Sequence, residues 1–144
     1  MVVRFPRLGR AMSRGHGRLY RITGGRFVPR WFDGAPVMLL ETVGRRTGKR
    51  RRTPVIYLRD GEDLVVIAAN AGTDRTPAWW HNLRAAGEAD VVVRGKRQRV
   101  RPRAVQEGPE RERLWEAFVE MYPQADEYTR FTRRRLPLVA LEPA

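Results

Sequence analysis

Residues 44 to 54, Gly44-Arg45-Arg46-Thr47-Gly48-Lys49-Arg50-Arg51-Arg52-Thr53-Pro54, set six cationic side chains and two glycines between the apolar runs Pro36 to Val43 and Val55 to Leu58. Such a segment can bind an anion. Glycine lets the backbone take positive φ and approach a ligand closely, and arginine forks meet phosphate or carboxylate oxygens two at a time. A plain surface turn between two strands would use the same glycines, and charge runs are often simply solvated, so both readings stand on this segment alone.

Other chemistries lack carriers. Gly44 and Gly48 are separated by three residues where a Walker loop has four, and Lys49 is followed by Arg50 where a magnesium-binding Ser or Thr belongs. No G-x-G-x-x-G opens a doubly wound nicotinamide site, and no G-x-S-x-G presents a nucleophilic serine. There is no cysteine, and His16 and His81 are the only histidines, so no metal site is expected. Asp60, Glu62 and Asp63 cluster at a hairpin tip, where they keep a turn soluble.

The elements that would position the basic loop are short and β-rich. Val37 to Thr42, Thr53 to Arg59 and Leu64 to Ala69 read as strands, the last two joined by Asp60-Gly61, and a meander is the simplest arrangement. Thr76-Pro77 reads as a capping hydroxyl followed by proline at the first helical position. Trp79, Trp80 and Leu83 then form an apolar stripe, and Gly87 ends the helix. A second hairpin turns at Gly95, and its second strand puts Arg97, Arg99, Arg101 and Arg103 on one face, read as a solvated outer surface. Pro109 starts a helix carrying Leu114, Trp115, Phe118 and Val119, a segment with Tyr128 and Phe131 follows Pro123, and Leu136 to Leu141 form a terminal strand. Arginines at 4, 7, 10, 14, 18 and 21 give the first 25 residues a basic amphipathic pattern interrupted by Pro6, Gly9, Gly15 and Gly17. That pattern serves either as a helix capping the core or as a contact with an anionic membrane.

At 144 residues without an internal repeat or linker, one domain spanning residues 1–144 is expected. The chain carries 29 Lys+Arg against 16 Asp+Glu, a net charge of +13, which implies attraction to a polyanion, an anionic lipid or an acidic small molecule. It shows neither a signal-peptide core nor an apolar run long enough to span a membrane, so a cytoplasmic location is expected, with peripheral contact to the inner face of the cell membrane as the alternative.

The order of motifs is informative beyond these readings. Gly44-Arg45-Arg46-Thr47-Gly48-Lys49, Arg51-Arg52-Thr53-Pro54, Val65 to Gly72, Pro77-Ala78-Trp79-Trp80-His81-Asn82-Leu83, and Tyr122-Pro123 with Tyr128 and Arg134 to Pro137 together resemble the deazaflavin (F420)-dependent nitroreductase and F420H2-dependent quinone reductase family of actinobacteria, over roughly residues 18 to 143. The resemblance implies an α+β, mainly antiparallel split β-barrel of the FMN-binding type with peripheral helices. It implies coenzyme F420 as cofactor and hydride transfer to a quinone, a nitro compound or an activated double bond.

By similarity, Arg45, Arg46 and Arg51 would contact the phosphate and acidic tail, and Thr47, Gly48 and Thr53 would supply backbone or hydroxyl donors. Pro54, Ala68, Ala69 and Asn70 would border the deazaflavin ring, and Trp79 and Asn82 would close the far side or serve as helix packing. Tyr122 or Tyr128 is the family's candidate proton donor. Two departures bear on the acceptor: Ala125 stands where a middle aromatic is common, and Ala69 where a serine is common, which disfavours bulky nitroimidazoles. Rival readings are a noncatalytic F420- or lipid-binding barrel and a basic nucleic-acid-binding domain. The latter is weakened because Val, Gln, Pro and Ala, not aromatics, separate the arginines of 97 to 103.

Overall fold

A computed structural model describes residues 34–69, 76–129 and 136–144. In chain order they form β1 (Val37–Val43), β2 (Arg50–Ile56), β3 (Leu58–Asp60), β4 (Asp63–Ile67), α1 (Ala78–Ala86), β5 (Ala89–Val93), β6 (Lys96–Ala104), α2 (Pro109–Met121), α3 (Gln124–Tyr128) and β7 (Leu138–Pro143). The basic N-terminal pattern, Asn70, Phe131 and Arg134-Arg135 lie outside the described residues, as does the side chain of Tyr128.

The strands make one antiparallel sheet in the order β2-β1-β5-β6-β7-β4-β3. β1 lies between β2 and β5 and is buried from Val37 through Thr42, which is why its sequence is apolar at nearly every position instead of alternating. The expected hairpin at Asp60-Gly61 joins β3 to β4. The expected meander does not form: β2 and β3, consecutive in sequence, stand at opposite ends of the strand order. The segment expected as one strand from Thr53 to Arg59 breaks at Tyr57, whose N–H donates to the Pro36 carbonyl at 3.1 Å, one pair beyond Val37 and Ile56, after which β3 pairs with β4. β2 also begins earlier than expected, because Arg50, Arg51 and Arg52 pair with Val43, Thr42 and Glu41.

Register separates two faces. Met38, Leu40, Leu64, Val66, Val91, Val100, Val139 and Leu141 form one apolar cluster with Trp79, Trp80 and Leu83 of α1. Val65, Leu138 and Ala140 point the other way, onto Leu114 and Phe118 of α2 with Tyr122 and Ala125. Each fully buried aliphatic side chain contributes about 1.5–3 kcal/mol, so the two clusters hold the helices on opposite sides of the sheet. α1 differs from expectation at its start: Pro77 occupies the cap position in extended backbone, without a side-chain cap, and its carbonyl accepts the Trp80 N–H at 3.1 Å. Gly87 ends the helix as expected, its N–H donating to the Leu83 carbonyl at 2.9 Å.

Candidate functional site

The turn between β1 and β2 is closed by its own backbone. The Gly44 N–H donates to the Lys49 carbonyl and the Gly48 N–H to the Gly44 carbonyl, both at 2.8 Å, while the Lys49 N–H donates to Thr47 Oγ1 at 3.2 Å. Two glycines are needed for separate reasons. Gly48 has φ +70°, and a Cβ on Gly44 would stand 2.6 Å from Thr47 Oγ1. The Gly48 amide is therefore used inside the turn, whereas the Thr47 hydroxyl keeps a hydrogen to donate.

α1 locks this turn from the side. Asn82, only 5% exposed, accepts at its Oδ1 both the Arg45 N–H at 3.1 Å and the Arg45 guanidinium at 3.2 Å. Arg52 lies 3.8 Å from the buried Glu41 carboxylate. Arg46, Lys49, Arg50 and Arg51 are exposed and form no ion pair among the described residues. In β2, Arg51 stands opposite Thr42 and Thr53 opposite Leu40, so both share the face of the first apolar cluster, and Arg52 and Pro54 take the other face.

The same apolar cluster collects Ala68 and Trp79. Ala68, directly after β4, donates its N–H to the Pro137 carbonyl at 3.0 Å, and Ala69 beside it is also buried. Trp79 meets Trp80 edge-on, with ring centroids 6.4 Å apart. The structure thus joins Arg45 to Asn82, keeps Arg46, Thr47 and Gly48 on the same turn, sets Arg51 and Thr53 on the sheet face that buries Ala68 and Trp79, and puts Pro54 on the other face. Tyr122 is elsewhere, 3% exposed inside the cluster on the opposite face, and Ala125 is fully buried there with it.

Three groups in this region escape the motif reading. Thr42 Oγ1 is buried without a hydrogen-bond partner among the described residues, on the face that carries Arg51. Glu41 is buried in the apolar β1, and an acid within Val-Met-Leu-Leu-Glu-Thr-Val is itself a sequence signal for a buried ion pair. His81, next to Asn82, has its proton affinity lowered first by burial and then by the positive fields of Arg45, Arg84 and Arg46. Among the described residues no cluster of three or more His, Asp or Glu side chains is placed to hold a metal ion.

The other arginine group keeps its expected exposure at Arg97, Arg99 and Arg101, and three of its members are ion-paired as well. Arg97 reaches Glu41 at 2.9 Å and Asp90 at 3.4 Å, Arg99 reaches Glu88 at 2.6 Å and Asp90 at 3.2 Å, and Arg103 reaches Glu110 at 2.8 Å and Glu142 at 3.2 Å. Alternation puts the arginines on one face as anticipated. Neighbouring strands and α2 place carboxylates on that same face.

Comparison with known proteins bears on both fold and site. Residues 12–143 match the family described as F420H(2)-dependent quinone reductase. An F420H(2)-dependent quinone reductase of Mycobacterium tuberculosis is 36% identical over 138 residues, covering 93% of this chain and 91% of that protein. A solved structure of an F420-H2 dependent reductase superposes with a TM-score of 0.66 at 30% identity, covering 74% of this chain and 94% of that one. An FAD-binding protein of Mesorhizobium loti, at 12% identity and a TM-score of 0.54 over 74% of this chain and 78% of its own, shares the fold alone. The seven-stranded antiparallel sheet is thus the split barrel of flavin- and deazaflavin-binding proteins, and the chain belongs to the F420H(2)-dependent quinone reductase family, oxidoreductases whose cofactor is coenzyme F420.

Proposed function

We propose that this chain reduces a quinone-like small molecule at the expense of reduced coenzyme F420, and that the β1–β2 turn with Arg51 holds the acidic part of that cofactor. The single observation carrying the assignment is the set of four cations, Arg46, Lys49, Arg50 and Arg51, that have no acidic partner among the described residues, in a protein where Arg97, Arg99 and Arg103 of β6 are ion-paired. The donor set fits a phosphodiester bearing an acidic tail: guanidinium forks and an ammonium, with the hydroxyls of Thr47 and Thr53, and no carboxylate among them to repel it.

When bound, reduced coenzyme F420 supplies a hydride. The protein's part is orientation. Arg46 and Arg51 grip oxygens, Asn82 fixes Arg45 and with it the turn, and Ala68, Ala69 and Trp79 border the deazaflavin ring, whereas the register of β2 puts Pro54 on the other face of the sheet. The position of Tyr122 within the second apolar cluster supports packing over proton donation, which leaves Tyr128 or solvent to protonate the acceptor. Small Ala69 and core-embedded Ala125 support a flat quinone over a bulky nitroimidazole.

Titration with purified coenzyme F420, followed by the absorbance loss of its reduced form on adding menadione, tests the reading. Binding with turnover is expected. Binding without turnover would favour a carrier protein, and absence of binding would overturn the assignment. The ion-paired state of Arg97, Arg99 and Arg103 supports a protein that does not select nucleic acid. Among the described residues no helix is long and apolar enough to cross a membrane. The arginine spacing of residues 4 to 21 supports peripheral attachment to anionic lipid, and equal liposome co-sedimentation of the full chain and a chain lacking residues 1 to 17 would remove that idea.

A further inference from the structure

β4 ends at Ile67, whose partner in the register is Leu138, the first residue of β7. One step further the Ala68 N–H still donates to the Pro137 carbonyl at 3.0 Å, but proline has no N–H to return. The ladder therefore ends on a single bond, beside the two alanines read above as bordering the deazaflavin ring. The next carbonyl, that of buried Leu136, is met from another element: Arg111 of α2 donates to it from Nη2 at 2.8 Å.

Arg111 is itself buried, and its carboxylate partner among the described residues, Glu107, lies 3.7 Å away with a side chain 68% exposed. Glu107 therefore offsets little of the cost of taking a guanidinium out of water. The Trp115 ring, one turn along α2, has its centroid 5.8 Å from the guanidinium carbon and helps to orient the fork. A charge held at such cost against one carbonyl fixes where that carbonyl stands. Without it, the Leu136 carbonyl reaches water only if the backbone moves. Because the proline ring locks φ, that movement carries Pro137 with it, and the Ala68 N–H is bonded to Pro137. Two hydrogen bonds and one residue of chain thus connect Arg111 to Ala68.

We propose that Arg111 is a positioning residue for hydride transfer: through the Leu136 carbonyl it sets the end of the β4–β7 ladder, and with it the Ala68–Ala69 wall that orients the deazaflavin ring. The proposal rests on the reading that these alanines border the ring. Arg111 touches neither cofactor nor acceptor in this scheme. Its loss leaves the cations of the β1–β2 turn in place, so the cofactor stays bound while its ring loses alignment with the acceptor. The signature is a fall in the rate of the chemical step with little change in cofactor affinity.

The test compares the full chain with Arg111→Met, which keeps bulk without a donor, and Arg111→Lys, whose ammonium can still donate to the Leu136 carbonyl. Three quantities are measured: amide hydrogen exchange of Ala68 in the free protein, affinity for oxidised coenzyme F420, and the single-turnover rate from its reduced form to menadione at saturation. In Arg111→Met the Ala68 amide should exchange at least about tenfold faster, the rate should fall about tenfold, and affinity should stay within about twofold. Arg111→Lys should recover the rate to within about threefold of wild type. If the methionine variant does not fold, Arg111→Gln, whose donor is too short to span the gap, replaces it with the same expectation. A folded Met or Gln variant with the wild-type rate, or with unchanged Ala68 exchange, overturns the proposal, as does a lysine variant as slow as the methionine one. Failure of the underlying reading shows separately: if oxidised coenzyme F420 binds the wild type without shifting the Ala68 and Ala69 amide resonances, the ring does not lie against them.

Discussion

Two groups of arginines, one on the β1–β2 turn and one on β6, have similar charge density in the sequence and opposite situations in the fold. On β6 the cations alternate along a strand whose neighbours supply Glu41, Glu88, Asp90, Glu110 and Glu142. At the turn, Asn82 engages Arg45 through a neutral amide, Arg52 is near Glu41, and the other four cations have no acid in reach among the described residues. A folded chain satisfies charge where the charge serves structure. Where cations crowd together unpaired, their mutual repulsion costs stability that an anionic ligand can return, a pattern expected of binding sites.

The largest expected effect breaks the symmetry directly. Arg51→Ala should weaken coenzyme F420 at least tenfold, a loss of about 1.4 kcal/mol, with thermal stability unchanged or slightly raised because one repelling cation is gone. Calorimetric affinity and a melting curve measure both halves. Equal affinity in the mutant would mean that the turn is merely a charged surface and that the contrast with β6 carries no functional content.

Arg97→Ala is the reverse experiment. It removes the nearer partner of Glu41, a carboxylate whose side chain is 6% exposed, and leaves it only Arg52 at 3.8 Å. An uncompensated buried charge is costly, but Arg97 itself is 51% exposed, so water can reach the gap and trims the loss to about 1.5 kcal/mol. Cofactor affinity should change by less than about twofold. A stability-neutral Arg97→Ala, measured by urea denaturation, would show that the β6 pairs are surface decoration.

These two arginine groups also mark how far the residues alone could be read. The turn was legible because glycine and cation requirements are local, as were the helix end at Gly87 and the hairpins at Asp60-Gly61 and Gly95. Pairing states were not legible. Whether Arg97 is ion-paired depends on Glu41, brought beside it through β5 by register, and whether Asn82 touches scaffold depends on Arg45, 37 residues away. The separation of β2 from β3 escaped for the same reason, since no local signal reports that the strand breaks at Tyr57 and that β3 stands at the far end of the strand order. The family resemblance supplied the barrel and the cofactor. It could not say that Tyr122 would be enclosed in the α2 cluster.

Thr42 sharpens the comparison on the scale of one hydroxyl. It lies on the face of β1 opposite Arg51 and is buried without a partner among the described residues. Thr42→Val preserves the shape while removing an unsatisfied polar atom, so the free protein should gain roughly 0.5–1 kcal/mol in urea denaturation. Destabilisation would show that the hydroxyl is satisfied in solution, and the turn side would lose one of its unmet groups.

The smallest expected effect concerns the far end of the β6 face, where acid titration has a defined sign. Hydrogen bonding to Arg103 holds the Glu110 carboxyl below the ordinary carboxylate range. A depressed folded-state value means that the contribution is fully present above the unfolded Glu range and is lost as pH falls through the lower folded value. Both side chains are over one-third exposed, which limits the pair to about 0.5 kcal/mol. Glu110→Gln should therefore lower the melting temperature slightly at neutral pH, and its deficit should vanish in acid once the wild-type carboxyl is protonated. Because Glu142 also contacts Arg103, part of the loss is compensated, and the Glu110→Gln, Glu142→Gln double variant should lose more than the sum of the two single changes. Strict additivity would mean that the carboxylates act independently, so that β6 carries separate surface pairs in place of the connected charge network that sets it apart from the turn.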